Sequence, residues 1–276
     1  MPGLYTKFIL KREQADEGSD AVLAVMKKGK LMRLMIINAG TKLYLEKGFS
    51  NTTNKHICNQ LNISTGQLTF YFPTKEHLLE ELVKELCDFQ NQFVERVVAE
   101  GNNSLLAACL ELAAIVAACE SNPHAKDFYI ASYIHPRTLK VIRQRDTERA
   151  KRIYGAFCPD WTDEDYRKIQ IVVSGIEYGT LMAQTENMSL DQQIATTLDS
   201  IMKLYGVPEE LRKRKIDKVL AIDYQSLGEL VLQDFKQYTH RVNQQALLQE
   251  LEDPGQKHCH VRAAAENLQI SKERAI

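Results

Sequence analysis

Apolar residues along this chain return every three to four positions, the period of a helix with one buried face. Leu34, Ile37, Leu45 and Phe49 mark the run 31–49, where Gly48 predicts a helix end. Ile57 and Leu61 are four apart, as are Leu68 and Phe72. Leu78, Leu79, Leu82, Val83, Leu86, Phe89, Phe93 and Val97 keep the period from about 76 to 100. Further helical runs are predicted at 104–120, 124–155, 163–185 and 189–205, with Pro136 starting a new helix inside the second, and a last pattern fills 209–252. Alternating strand patterns are nearly absent, and Gly and Pro are sparse at 13 and 7, so the expected fold class is all-α.

Within this pattern, residues 52–79 (TTNKHICNQLNISTGQLTFYFPTKEHLL) have the layout of two short helices joined by a tight turn, then a basic step into a third helix. Thr52 or Thr53 can cap the first of these, since a hydroxyl there satisfies open backbone N–H groups. Asn62 suits a left-handed helix stop, Ile63 plugs the turn into the core, and Ser64 caps the next helix. Leu68 and Phe72 point inward, which leaves Thr65, Gln67, Thr69 and Tyr71 on the other faces, rich in hydrogen-bonding groups. A helix laid in the major groove needs such a face to read base edges.

Taken with the preceding run, roughly residues 30–90 resemble the DNA-binding domain of the tetracycline-repressor (TetR) family. The resemblance rests on Ala39 and Leu43, the Glu46-Lys47-Gly48-Phe49 exit, Thr52-Thr53, Ile57, Ile63-Ser64-Thr65-Gly66, and Tyr71-Phe72-Pro73-Thr74-Lys75-Glu76 with Leu78-Leu79. Two positions depart from it. Leu61-Asn62 stands where a small residue and Gly are usual, and Thr69 stands where the family usually carries a Tyr used for a phosphate contact. The resemblance implies an N-terminal three-helix helix-turn-helix domain followed by a helical domain for effector binding and dimerisation.

Net charge is −1 for the 276 residues, but it is unevenly spread. Residues 28–75 hold seven Lys and Arg (Lys28, Lys30, Arg33, Lys42, Lys47, Lys55 and Lys75) against Glu46 alone, a local +6 that leaves −7 elsewhere. Such a block coinciding with a helix-turn-helix suits binding to phosphates on double-stranded DNA. The candidate DNA contacts are Thr53, Asn54, Thr65, Gln67, Thr69, Tyr71 and Lys75. Gln67 is the expected base reader, because its amide can pair with adenine bidentately, and Lys75 is the expected phosphate clamp.

The expected division is a polar extension at 1–27, the helix-turn-helix domain at 28–90, a ligand-binding and dimerisation domain at 91–206, and a helical C-terminal extension with a polar tail at 207–276. The extension at 1–27 is expected to be a mobile arm or a short extra helix. The resemblance implies a small-molecule effector whose pocket is drawn from the helices after 104. Its candidate lining residues are Phe128, Tyr129, Tyr133, His135, Tyr154 and Phe157, although an aromatic at helical spacing is more often core than ligand wall. Two apolar faces, Ile169, Val172, Val173, Ile176, Gly179 and Thr180 on one helix and Ile194, Leu198, Ile201, Met202 and Tyr205 on the next, are expected at a homodimer interface, or else in the subunit core.

The basic run Arg212-Lys213-Arg214-Lys215 is read as a solvated face. The longest apolar stretch, about Leu105–Cys119, is interrupted by Glu111 and is read as a core helix and not a membrane span. No secretory signal is recognised, so a cytoplasmic location is expected, with the six cysteines reduced and mostly buried. His258-Cys259-His260 lacks a second ligand pair at zinc spacing, so no metal is expected. No phosphate loop or nucleophile turn appears, and neither a cofactor nor catalysis is expected. The overall expectation is a dimeric, ligand-responsive repressor on a palindromic operator. The alternative is a helical protein–protein adaptor that keeps the helix-turn-helix as a structural element.

Overall fold

The structure, a computed structural model, describes residues 19–100, 103–183 and 188–252. Eleven α-helices run through them: α1 Ser19–Lys47, α2 Asn54–Leu61, α3 Thr65–Tyr71, α4 Lys75–Ala99, α5 Ser104–Ser121, α6 Pro123–Ile134, α7 Pro136–Tyr154, α8 Asp163–Met182, α9 Leu190–Leu204, α10 Glu209–Leu220 and α11 Tyr224–Glu252. A 3-10 turn at Gly155–Phe157 follows α7. No strand occurs among the described residues, so the fold is all-α.

Local chemistry sets many of the ends. Asn103, Asn122, Thr162 and Ser189 each accept backbone N–H groups at the starts of α5, α6, α8 and α9. Pro123 and Pro136 open α6 and α7, where a missing N–H costs nothing. The long run 124–155 is therefore two helices.

α1 to α3 form the head and the remaining helices the body, and α4 belongs to both. Its first half buries Leu78, Leu79, Leu82 and Val83, with Leu78 over Gly40 of α1, and its second half buries Leu86, Cys87, Phe89, Phe93 and Val94, with Phe89 against Phe235 of α11. α5 is buried nearly all round. By length and composition it would suffice to cross a membrane, contrary to the sequence reading that nothing is long enough, yet two thirds of it is enclosed by its neighbours, as in a core helix.

The last helix does not extend away from the rest. α11 packs along α5 and α1 and touches α4. Phe235 meets Phe89 of α4 at 5.3 Å and Phe128 of α6 at 6.1 Å between ring centroids, and Tyr238 meets Phe89 at 5.5 Å. Lys30 of α1 pairs with Glu250 at 2.5 Å. Residues before Ser19 and after Glu252, including His258-Cys259-His260 and Cys259, lie outside the described residues.

Two surface expectations change. Lys215 is 7% exposed and donates to Asn103 Oδ1 at 2.9 Å, while Arg212 binds Asp199 at 2.7 Å and the carbonyl of Val207 at 2.8 Å. Only part of the 212–215 run is thus a solvated face. Ile194, Leu198, Ile201, Met202 and Tyr205 of the second expected dimer face are buried in the subunit itself, as are Val173 and Thr180 of the first, with Thr180 and Thr197 hydroxyls 2.8 Å apart. Val172 and Gly179 of the first expected face do lie outward on α8, beside Ile171 at 57% exposure, Met182 and open space over Gly175.

Gly228 is where α11 crosses α5: a Cβ there would lie 2.7 Å from the Ala114 carbonyl oxygen and 2.9 Å from the Ala118 nitrogen. Neither backbone atom can yield cheaply. Gly228→Ala, which by helix propensity alone would stabilise by about 1 kcal/mol, is expected instead to destabilise by roughly 1–3 kcal/mol through overpacking. Thermal unfolding of the two chains checks this, and an unchanged or raised Tm would contradict the docking of α11.

Candidate DNA-binding face and inner cavity

The head is built from interlocking caps. Thr53 is the N-cap of α2: its hydroxyl accepts from the His56 N–H, and its own N–H donates to His56 Nδ1. Thr52, fully buried, donates to the Gly48 carbonyl at 2.8 Å and so closes the α1 exit. Asn62 ends α2 in the left-handed conformation, φ 54°, and Ile63 N–H donates to the Cys58 carbonyl. Ser64 then caps α3 in a second reciprocal box with Gln67. Ile57, Leu68 and Phe72 are buried, so the other sides of α3 face outward.

The candidate contacts sit on this surface in different states. Thr53, Thr65 and Gln67 are exposed, and Asn54, Thr69 and Tyr71 are half-buried. Gln67 Oε1 accepts from the Ser64 N–H at 3.0 Å, which occupies half of the bidentate amide its expected role requires. Thr69 bends back to donate to the Thr65 carbonyl at 3.0 Å. Lys75 differs most from expectation. Its ammonium donates to the Phe49 carbonyl at 3.1 Å and lies 4.0 Å from the centre of the Phe49 ring, so it fastens α4 to the α1–α2 turn.

Phe70, which the sequence reading passed over, is the most prominent residue on α3 at 79% exposure. Its signal was its place off the Leu68–Phe72 stripe, where a core aromatic has no reason to be. Its ring meets Tyr71 edge-on at 5.0 Å.

Of the basic block, Arg33 pairs with Glu81, Lys30 with Glu250 and Lys42 loosely with Glu46. Lys28, Lys47 and Lys55 are exposed and make no ion pair among the described residues.

Behind the head, α4 to α9 line a cavity of about 70 Å³, room for roughly five water molecules. Tyr129, Tyr133 and Tyr154 line it, as three of the six expected lining residues. Phe128 is instead packed in the aromatic core, His135 precedes α7 without a side-chain capping bond and meets Phe49 edge-on at 5.3 Å, and Phe157 lies in the 3-10 turn and does not line the cavity.

The polar lining was missed. Arg149 holds both oxygens of Glu111 at 2.8 and 2.9 Å and reaches Asp146 at 3.3 Å. Glu177 accepts from the Tyr133 hydroxyl at 2.9 Å. Burial raises the Glu111, Asp146 and Glu177 carboxyls above their usual range, Glu177 to about 8. Glu111 was visible in the sequence only as the charge that interrupts an apolar run. An outer recess of about 350 Å³ shares Arg149 and Ile153 with the inner cavity.

α6 touches both places. Tyr129 and Tyr133 line the cavity, while Asp127 accepts from Ser50 N–H at 2.7 Å and from the Ser50 hydroxyl at 2.5 Å, at the α1–α2 turn. Gly48, at φ 83°, leaves the space that Asp127 occupies: a Cβ there would come within 2.6 Å of Asp127 Oδ2.

A short capped helix offering its outer face from a three-helix head is the layout of a helix-turn-helix, here backed by a helical body with an inner cavity. Residues 36–82 match the family described as bacterial regulatory proteins, tetR family, so the chain carries that family's N-terminal domain. It is 27% identical over 129 residues to the HTH-type transcriptional regulator HbdR of Aromatoleum sp. (strain CIB), covering 46% of this chain and 55% of that protein. The chain thus spans about half the length of the curated relative it matches. Among solved structures, the TetR family protein CprB from S. coelicolor A3(2) is 17% identical, covering 75% of this chain and 99% of that one, with a TM-score of 0.37. A gamma-butyrolactone receptor (ArpA-like protein) is also 17% identical at the same coverage, with a TM-score of 0.38.

The placement of Lys75 has a stability consequence. Lys75→Met keeps the stem but loses the bond to Phe49 and the charge over its ring, together about 1–2 kcal/mol. A Tm lower by a few degrees is expected on thermal unfolding. An unchanged Tm combined with weakened DNA binding would return Lys75 to a phosphate-clamp role.

Proposed function

We propose that this chain is a cytoplasmic, homodimeric transcriptional repressor that reads a palindromic operator through α3 and is released by a small molecule bound in the inner cavity. The observation that carries the proposal is the outer face of α3, where Thr65, Gln67 and Phe70 stand exposed on a helix whose ends are fixed by caps. Phe70 is the residue suited to an apolar contact with a thymine methyl, and the Gln67 Nε2 remains available as a donor to a base edge. Lys28, Lys47 and Lys55 supply phosphate contacts. The role is recognition and not catalysis.

A single α3 reads a short site weakly, and two-fold pairing lets two heads engage symmetric half-sites. The face offered for pairing is Ile171, Val172, Gly175, Gly179 and Met182 on α8, where small residues permit close approach of a second helix. Release follows as a population shift. A ligand that favours another position of α6 moves Asp127 and the turn it holds, and it can bias the equilibrium only by its differential affinity for the two arrangements.

Fluorescence anisotropy with a labelled duplex tests the DNA-binding part. With three lysines on each of two heads, about six phosphate contacts, affinity is expected to fall roughly a thousandfold between 50 and 200 mM salt. Phe70→Ala is expected to cost about tenfold in affinity for a selected site at an unchanged Tm, since the ring buries little in the free protein. A flat salt response would favour the helical adaptor. Sedimentation checks the pairing: the parent is expected as a dimer and Gly179→Arg as a folded monomer, and a monomeric parent would overturn the proposed interface.

A further inference from the structure

The inner cavity is unbalanced in charge. Three carboxyl groups, Glu111, Asp146 and Glu177, line it together with one guanidinium, that of Arg149. Arg149 is already committed, with both Glu111 oxygens at 2.8 and 2.9 Å and Asp146 at 3.3 Å. An incoming anion would have to displace two carboxylates from Arg149 and would face the third. Glu177 has no cation of its own: its bonded partner is the neutral hydroxyl of Tyr133 at 2.9 Å. Aromatic groups complete the wall. Tyr129, Tyr133, Tyr154 and Tyr205 all line the cavity, with Tyr154 and Tyr205 stacked at 4.0 Å and 7°. Ring systems and an uncompensated carboxylate around a desolvated space are the two features that attract an organic ammonium group.

We propose that the effector is a small organic cation, an amine whose charged nitrogen pairs with Glu177 and whose apolar body lies among the cavity tyrosines. The inference rests on the cavity being the effector site of the proposed repressor. The raised affinity of Glu177 for its proton fits the assignment: burial and the neighbouring Asp146 charge outweigh the influence of Arg149, which is spent on Glu111 and Asp146, so an arriving cation takes the proton's place. At about 70 Å³ the cavity as it stands holds a compact molecule, and the outer recess that shares Arg149 and Ile153 gives a longer one somewhere to extend.

Calorimetric titration of the full chain near neutral pH with propylamine, 1-propanol and propionate, three probes of similar size and three charges that suit a cavity of about 70 Å³, tests this. Propylamine is expected to bind at least tenfold more tightly than either of the others. Glu177→Gln, which keeps an acceptor for Tyr133, is expected to reduce propylamine to the level of the alcohol. If that variant fails to fold, the three-probe comparison on the parent chain decides alone. Equal or tighter binding of propionate or 1-propanol overturns the cation assignment and leaves the cavity as an effector site. Binding of none of the three at millimolar concentration also overturns it. If propylamine shows the expected preference but leaves duplex affinity unchanged, the site assignment holds and it is the effector reading that fails.

Discussion

Burial of α4 along its whole length is the contact on which the rest of this structure depends. Nine of its side chains, from Leu78 to Val94, are at most 9% exposed, with Leu78 over Gly40 of the head, Leu86 at the inner cavity and Phe89 against Phe235 of α11 in the body. At roughly 1.5–3 kcal/mol per side chain removed from water, no head motion that uncovers them is affordable. The head therefore has no linker to swing on. It can move only by shifting packed helices against one another, which is the motion the proposed release from DNA requires. Lys75 reinforces the same joint from the polar side, since its ammonium spans from the first turn of α4 to the Phe49 carbonyl.

The body joins that unit through α6 and α11. α6 has cavity residues on one side and the Asp127–Ser50 bonds on another, so one rigid element is shared by the ligand space and the turn that precedes the reading helices. α11 ties α1 to α5 with an aromatic cluster and a close helix crossing at Gly228. The cavity is the costly part of this arrangement. Four ionisable groups in a largely desolvated space contribute little to stability even when paired, and removing one partner of such a pair typically costs about 3–5 kcal/mol. Groups that expensive to bury are more readily explained by what they bind than by what they hold together.

The head was legible in the sequence because its determinants are short-range. Thr53, Asn62 and Ser64 act on backbone groups within four residues of themselves, and Gly48 marks the α1 exit for the same reason. What failed was whatever depended on distant neighbours. Lys75 looks like a free cation until the fold brings the Phe49 carbonyl to it, 26 residues away. Gln67 was missed for a different, local reason: its amide oxygen closes the reciprocal cap with Ser64 three residues away, and only the Ser64 half of that box was read. The stripe on α9 from Ile194 to Tyr205 is amphipathic whether its own subunit or a second copy covers it, and the pattern cannot distinguish the two. The cavity was harder still. Its chemistry comes from Glu111, Asp146, Arg149 and Glu177 on three helices, each of which reads locally as an ordinary charge, whereas aromatic residues such as Phe128 and Phe157 drew attention they did not warrant.

The central claim is that α3, held by this head, reads DNA sequence. Selection from a random duplex library with the purified full chain near physiological salt tests it most directly. Enrichment of a palindromic motif, with half-sites separated by about one helical turn or a multiple of it, is the predicted result. Retention of duplexes without any enriched motif, or of none at all, would contradict it.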